Sequence, residues 1–293
     1  MRKSTFKDRL IDCIIVFIMC LVCFVTLYPF LYCLAYSLSN SITVMTKTVT
    51  VFPINFTLEN YGVVFKNQLI LNSFLVSVLR TAAAIVYSLI VTGLASYAIS
   101  KSMLPGKKIL SLILIVPMYI SGGLIPYYVL IHDLHLFNNF LVYILPHGFS
   151  AFNMLIMKTY FDTLPPGLEE SARLDGAGDI TIFFRIILPL SMPIVATISM
   201  FVGVWHWNSW FDVMLFVNNI KLMPMQTMLQ KLLMENFSAD LKAQAAQAMG
   251  NNTTSPESLK MATIIVSTIP IVCIYPFFQK YFIKGVMIGA VKG

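Results

Sequence analysis

Charge is scarce in this chain: only 11% of its 293 residues are Asp, Glu, Lys or Arg, against about a quarter in an average soluble domain. Polar helix faces are also scarce. Apolar stretches of 20 or more residues recur along the whole length and are apolar all round, which excludes a soluble all-α core and indicates membrane-spanning helices. No G-x-x-x-x-G-K-[ST] phosphate loop is present. Gly106-Lys107-Lys108 is followed by isoleucine and has no glycine five residues upstream, so ATP has to be handled elsewhere. There is no internal repeat, and Asp212 is the only acid inside a span beyond its ends. Both features speak against an ion-coupled secondary transporter. A membrane-embedded enzyme is excluded by the lack of a convergent nucleophile, base or metal set. The five cysteines all lie in apolar runs. Cys20 and Cys23 form a lone C-x-x-C without a second pair or a nearby histidine, so they read as small apolar filler.

What is present is a run of six expected spans, at roughly 11–36, 71–99, 109–131, 138–160, 191–217 and 261–283. Each exceeds the roughly 20 residues needed to cross about 30 Å of hydrocarbon. The first is too long for a signal-peptide core and has no small-x-small cleavage site after it. Placing the N-terminus inside puts thirteen lysines and arginines on inner segments against six on outer ones. The expected topology is therefore multi-pass with both termini cytosolic, and the net charge of +7 is a topology signal rather than a nucleic-acid footprint. The outer segments are 37–70, mostly extended and followed by a turn, the short link 132–137, and the long loop 218–260. In the long loop, Pro224 opens a helix bearing Met225, Met228, Leu229, Leu232 and Leu233 at helical spacing. The His132-Asp133-Leu134-His135 group falls in the short link and reads as part of it; no metal site is expected.

The segment 165–188 is the one structured inner loop. Pro165-Pro166-Gly167 stops the preceding helix, and Leu168 to Asp175 can make about two turns, with Glu169 and Arg173 at i, i+4. Gly176 and Gly178 then reverse the chain. Asp179 can cap a second helix, whose Ile180, Phe183, Phe184, Ile187 and Leu188 form an apolar stripe. Pro189 and Pro193 open the fifth span. With Glu170-Ser171-Ala172-x-x-x-Gly176 and Ile186-x-Leu188-Pro189, this unit resembles the EAA loop of permease subunits of bacterial ABC importers. Ser171 stands where the motif has its first alanine. The resemblance implies a type I importer fold and docking into a cleft of a separate ATPase subunit through Glu170, Ala172 and Gly176. Glu169, Ser171, Arg173 and Asp175 complete the expected coupling surface.

Further stretches resemble the carbohydrate branch of that family, the maltose-importer type of second permease associated with oligosaccharides and complex polysaccharide fragments. They are Phe52-Pro53 with Asn55-Phe56-Thr57-x-Glu59-Asn60-Tyr61, Ser121-Gly122-Gly123-Leu124-Ile125-Pro126-x-Tyr128, Trp207-Asn208-Ser209-Trp210-Phe211, and the C-terminal Phe278-Gln279-Lys280-Tyr281-Phe282 onward to Lys292-Gly293. The resemblance implies four kinds of partner: the lipid bilayer, a second and different permease, two ATPase subunits holding ATP and magnesium, and an extracytoplasmic sugar-binding protein. It also implies that residues 234–256 reach into the binding protein and displace sugar, and that the tail from Gly285 to Gly293 contacts the ATPase pair. No cofactor is expected in this chain, and an importer of amino acids or peptides is the nearest rival.

Trp205, Trp207, Trp210 and Phe211 cluster in the outer half of the fifth span, with His206, Asn208, Ser209 and Asp212. They read either as a sugar platform, since aromatic faces stack on sugar rings and Asn or Asp binds hydroxyls, or as helix packing with an interfacial aromatic belt. The maltose-type resemblance implies that the partner permease, not this one, is the main holder of sugar. Asp212 is expected to pair with Arg80, the one intramembrane arginine, at similar depth. Gly122 and Gly123, with Pro126, interrupt the third span, either as a pathway-lining bend or as a packing kink.

Overall fold

The computed structural model describes residues 6–101, 104–120, 122–234 and 255–290. Several expectations lie outside the described residues: Ser121 of the third-span motif, nearly all of the sugar-displacing segment 234–256, and the last three residues of the tail. The chain divides into two compact units, Met1–Leu71 with Lys231–Ile269, and Asn72–Gln230 with Pro270–Gly293.

In the first unit, α1 (Phe6–Ser37) is a single helix whose most apolar stretch has a mean hydropathy of 2.9 and is not buried anywhere within the chain. A helix apolar all round and unburied by its own chain belongs in lipid or against another protein. The segment that follows is not the extended stretch the sequence suggests. It forms α2 (Ser41–Thr46), capped by the Asn40 side chain, and α3 (Glu59–Lys66). The difference comes from Asn60, which is fully buried. Its amide donates to the carbonyls of Ser37 at 2.8 Å and Ser39 at 3.0 Å, and its side-chain oxygen accepts from Ser41 at 2.8 Å. One asparagine thereby satisfies three otherwise orphaned polar groups and folds the loop back onto the end of α1.

The second unit takes in most of α4 (Gln68–Ser100), then α5 (Lys107–Ile115), α6 (Leu124–Asp133) and α7 (Ala151–Phe161). Next come α8 (Gly167–Leu174) and α9 (Asp179–Ile182), the latter running through a wide π turn at Phe183–Ile187 into α10 (Leu188–Leu190). α11 (Met192–Asn208), α12 (Phe211–Phe216), α13 (Met225–Leu233) and α14 (Pro256–Ala290) follow among the described residues. Pro270 and Pro276 lie inside α14 without ending it. Pro224 precedes α13 as expected, and Met225, Met228, Leu229 and Leu232 are buried, while Leu233 is exposed.

Helix α4 corrects the reading of the spans as apolar all round. Ser73, Ser77, Arg80, Ala84, Ser88, Thr92 and Ser96 fall three or four residues apart and are all buried, so the inward face is small and polar while the outward face is apolar. Small side chains let neighbouring backbones approach, and their hydroxyls return bonds to carbonyls. The Ser96 hydroxyl donates to Thr92 O at 2.6 Å and to Met154 O at 3.1 Å, and Ser77 Oγ accepts the Met225 amide at 2.7 Å.

Among the described residues, three helices are long and apolar enough to cross a membrane by themselves: Arg9–Ser37, Gln68–Ser100 and Pro256–Gln279. The other three expected spans are broken. Region 109–131 is interrupted between Met118 and Leu124. Region 138–160 is helical only at Phe140–Tyr143 and in α7. Region 191–217 breaks at Ser209–Trp210. In the fourth region, Gly148 lies against the Tyr87 ring so closely that a Cβ would sit 1.9 Å from a ring carbon. A glycine there is a close-approach requirement.

Candidate functional site

Two parts of the second unit carry features that packing alone does not explain. The first is the α8–Gly176–α9 unit. The carbonyls at the end of α8 are taken up by a left-handed reversal at Gly176, whose φ is 82°. Gly176 N bonds Arg173 O at 3.0 Å, and Ala177 N bonds Ala172 O at 2.9 Å, the paired pattern of a glycine-terminated helix. Ala172 is buried in the chain's own core with Met157, Ile182 and Phe183. Glu170, Ser171, Arg173, Asp175 and Gly176 are exposed, and Glu169 is half-buried. The expected i, i+4 pair of Glu169 and Arg173 is replaced by two longer-range ones: Glu169 pairs with Lys101 just beyond α4, and Arg173 pairs with Asp179 across the turn. Asp179 is therefore engaged by arginine, and the cap position is Gly178. The π turn at 183–187 also alters the expected stripe, because a wide turn shifts which residues share a face. Ile182, Phe183 and Ile187 are buried, while Ile180 is 69% exposed. The unit thus has a sealed back and an exposed tip, where Leu174 is 90% exposed. Beyond it the chain turns by 87° between Leu190 and Met192 into α11, with Pro189 and Pro193 on either side of the bend.

The second part is polar chemistry within the expected spans. Arg80, with no exposed surface, pairs with Asp212, as the sequence suggests. Arg80 Nη1 also donates to Ser209 O at 3.2 Å, Ser209 Oγ donates to Asp212 at 2.7 Å, and the Tyr143 ring lies 4.5 Å from the guanidinium carbon. The pair therefore fastens α4 to the break that separates α11 from α12. Trp207 is buried, edge-on to Phe74. Trp210 and Phe211 contact each other edge-on, and the exposed Asn208 returns its amide to Val204 O at 2.9 Å. Gly123 adopts a φ of 84° at the start of α6, and Gly122 beside it is exposed.

Beside this set lies a cavity of about 450 Å3, bordered by Ser88, His147, Ser150, Asn153, Trp205 and His206 among others. The rings of His147 and Trp205 are 4.5 Å apart, and Trp205 and His206 are 4.7 Å apart. Of the expected platform cluster, Trp205 and His206 border the cavity. His147, Ser150, Asn153 and Ser88 were not singled out from the sequence. The available signal was a histidine between Pro146 and Gly148 in the middle of an apolar run, where an ionisable side chain is costly and points to function. Among the described residues no group of three or more His, Cys, Asp or Glu side chains could hold a metal ion.

Comparison with known proteins places these features in context. Residues 1–288 match the family described as "binding-protein-dependent transport system inner membrane component". The polygalacturonan/rhamnogalacturonan transport system permease protein YtcP of Bacillus subtilis (strain 168) is 36% identical over 98% of this chain and 100% of its own. The protein LplC of the same organism is 36% identical over 92% of this chain and 90% of its own. Among solved structures, a bacterial ABC transporter involved in the import of the acidic polysaccharide alginate superposes with a TM-score of 0.89 at 28% identity. The match covers 96% of this chain and 100% of that one.

Proposed function

The chain belongs to the family of binding-protein-dependent transport system inner membrane components, and we propose that it works as one of two different permeases in an ABC importer of oligosaccharides or polysaccharide fragments. It is a mostly helical, multi-pass membrane protein with the type I ABC permease fold, and its cargo is sugar rather than amino acids or peptides. In the arrangement proposed here, the three broken segments are bent crossings that complete six spans, and both termini are cytosolic. Two separate ATPase subunits hold ATP and magnesium, and an extracytoplasmic binding protein delivers the sugar. The subunit performs no covalent chemistry.

The observation that carries the coupling role is the α8–Gly176–α9 unit. Its exposed tip, with Leu174 and Ile180, suits a protein partner better than water. Its buried back, with Ala172 and Phe183, is continuous with the core that includes α4, α7 and α11. A push on the tip is therefore delivered to the spans. The docking contacts are assigned to Glu170, Ser171, Arg173, Asp175 and Gly176. Glu169 holds the unit to Lys101, and Ala172 holds it to the core. An ion-coupled mechanism is disfavoured, since the intramembrane Asp212 is already paired with Arg80.

The test is reconstitution of the complex in proteoliposomes. Gly176→Pro cannot reach a φ of 82°. It should insert in the membrane and lose ATP-driven sugar uptake. Normal uptake by that variant, or uptake indifferent to loss of the copurifying ATPase subunits, would undo the coupling role.

A further inference from the structure

We propose that the cavity beside Trp205 is this subunit's own subsite for one pyranose ring of the transported sugar, gripped through its apolar face and hydroxyls rather than through a charge. The inference rests on the importer reading above and adds a sugar contact on the permease for which the sequence resemblance favours the partner as main holder.

Position is the first argument. Ser88, His147 and Trp205 come from three different expected spans, 71–99, 138–160 and 191–217, and each lies close to the middle of its own. All three thus belong near the bilayer midplane, far from the interfaces where an aromatic belt forms. A tryptophan, two histidines, two serines and an asparagine gathered at that depth are out of place as lipid-facing packing. Polar groups inside a membrane line a cavity or pack on protein.

Composition is the second argument. Trp205 is the one exposed tryptophan of the three, at 46%. It offers a flat apolar face, while Asn153, Ser150 and His147 offer donors and acceptors around it. This pairing of one ring face with a few convergent polar groups is what a sugar requires, because a pyranose has an apolar C–H face and a rim of hydroxyls. The volume falls within the range of small-molecule sites, about 300–1,000 Å3. Within two of the bordering residues, Ser88 Oγ and His206 Nδ1 are buried and have no hydrogen-bond partner among the described residues. Unpaired buried polar groups are unusual, and each calls for an unseen partner.

Charge is the third. None of the residues bordering the cavity is Asp, Glu, Lys or Arg, and the neighbouring Arg80 is engaged by Asp212. A carboxylate would gain no ion pair here, so a uronate ring would seat with its carboxylate pointing away from this wall.

The experiment uses the purified transporter complex in detergent and oligomers released from polygalacturonan and from rhamnogalacturonan as probes. Saturation-transfer NMR reads binding without the binding protein, and proteoliposome uptake is measured in parallel. Trp205→Ala is expected to weaken binding about tenfold, while Trp205→Phe stays within about threefold of the parent. If Trp205→Ala fails to copurify with its partners, Trp205→Leu replaces it: loss with leucine and retention with phenylalanine supports the subsite. Binding equal in the leucine or alanine variant and the parent, in a complex that transports the probe, overturns it. A parent complex that neither binds nor imports any of the oligomers overturns the importer reading instead.

Discussion

Removing the acid partner of Arg80 should be among the most damaging single changes in the protein. The guanidinium has no exposed surface. It contacts Asp212, the Ser209 carbonyl at 3.2 Å and the Tyr143 ring at 4.5 Å, and its Nε has no hydrogen-bond partner among the described residues. Asp212→Leu leaves that charge buried with one carbonyl and one ring face. The ring face contributes about 0.5–2 kcal/mol, while breaking a buried pair from one side costs about 3–5 kcal/mol. The net loss should therefore lie near the lower end, about 3 kcal/mol. Asp212→Asn keeps an acceptor and loses the charge, so it should cost less, about 2 kcal/mol, in the range for hydrogen bonds to charged groups. Arg80→Met combined with Asp212→Leu should recover most of the loss, because two apolar groups of similar volume replace the pair without stranding either. Thermal unfolding of the purified complex, followed with these three variants and with Arg80→Met alone in one detergent, gives the ordering and closes the cycle. If the double variant is as unstable as the sum of the two single changes, the pair is not the unit the geometry describes, since interacting neighbours are non-additive.

Three further outcomes follow from single contacts. Asn60→Ala strands two buried carbonyls and the Ser41 hydroxyl. It should cost about 1–3 kcal/mol and increase proteolysis of the 38–58 loop, measured by limited digestion. Gly148→Ala drives a methyl into Tyr87 and should cost about 1–3 kcal/mol by overpacking, with recovery when Tyr87 is also made leucine, as read from the melting temperature. Lys101→Glu should depress sugar uptake per ATP hydrolysed, and the swapped pair Lys101→Glu with Glu169→Lys should restore it. A ratio unmoved by the single change would exclude the Lys101–Glu169 bond from coupling.

Much of the fold was legible because hydropathy is a strong signal where a helix is straight. α1, α4 and the apolar part of α14 stand where the sequence puts them, to within a few residues. The broken segments were harder, since hydropathy averages over a break. The chain stays apolar through Pro146, Gly148 and the Ser209–Trp210 step although the helix does not. The polar face of α4 was hidden for a related reason. Serine and threonine that bond to helix carbonyls scarcely lower the average, and only their spacing at three and four residues betrays them. The Arg80–Asp212 pair was legible because buried charge must be compensated and the spans offered one arginine and one acid. The partners of Glu169, Arg173 and Asp179 were not. Sequence distance favours an i, i+4 bond, but the Gly176 reversal brings Asp179 to Arg173, and the end of α4 brings Lys101 to Glu169.

The same helix touches every part of the proposed mechanism. α4 carries Arg80 toward its N-terminal end and Ser88 at the cavity, and it ends one residue before Lys101, which holds Glu169 of α8. At 1.5 Å per residue, Ser88 lies about 20 Å and Arg80 about 30 Å along the axis from that contact. A continuous helix whose buried face is small residues at close spacing moves as a rod, because bending it would open contacts along its whole length. A displacement of α8 is therefore delivered to the cavity wall and to the Ser209–Trp210 break without a chain of flexible intermediates. Breaking the rod while keeping both ends is the decisive perturbation. Ala84→Gly weakens a helix interior by only about 1 kcal/mol and leaves Lys101, Glu169, Arg80 and Ser88 in place. If the rod transmits the motion, this small loss of stability should produce a larger loss of uptake per ATP. Unchanged coupling would locate the transmission in the 87° bend at Ser191 instead.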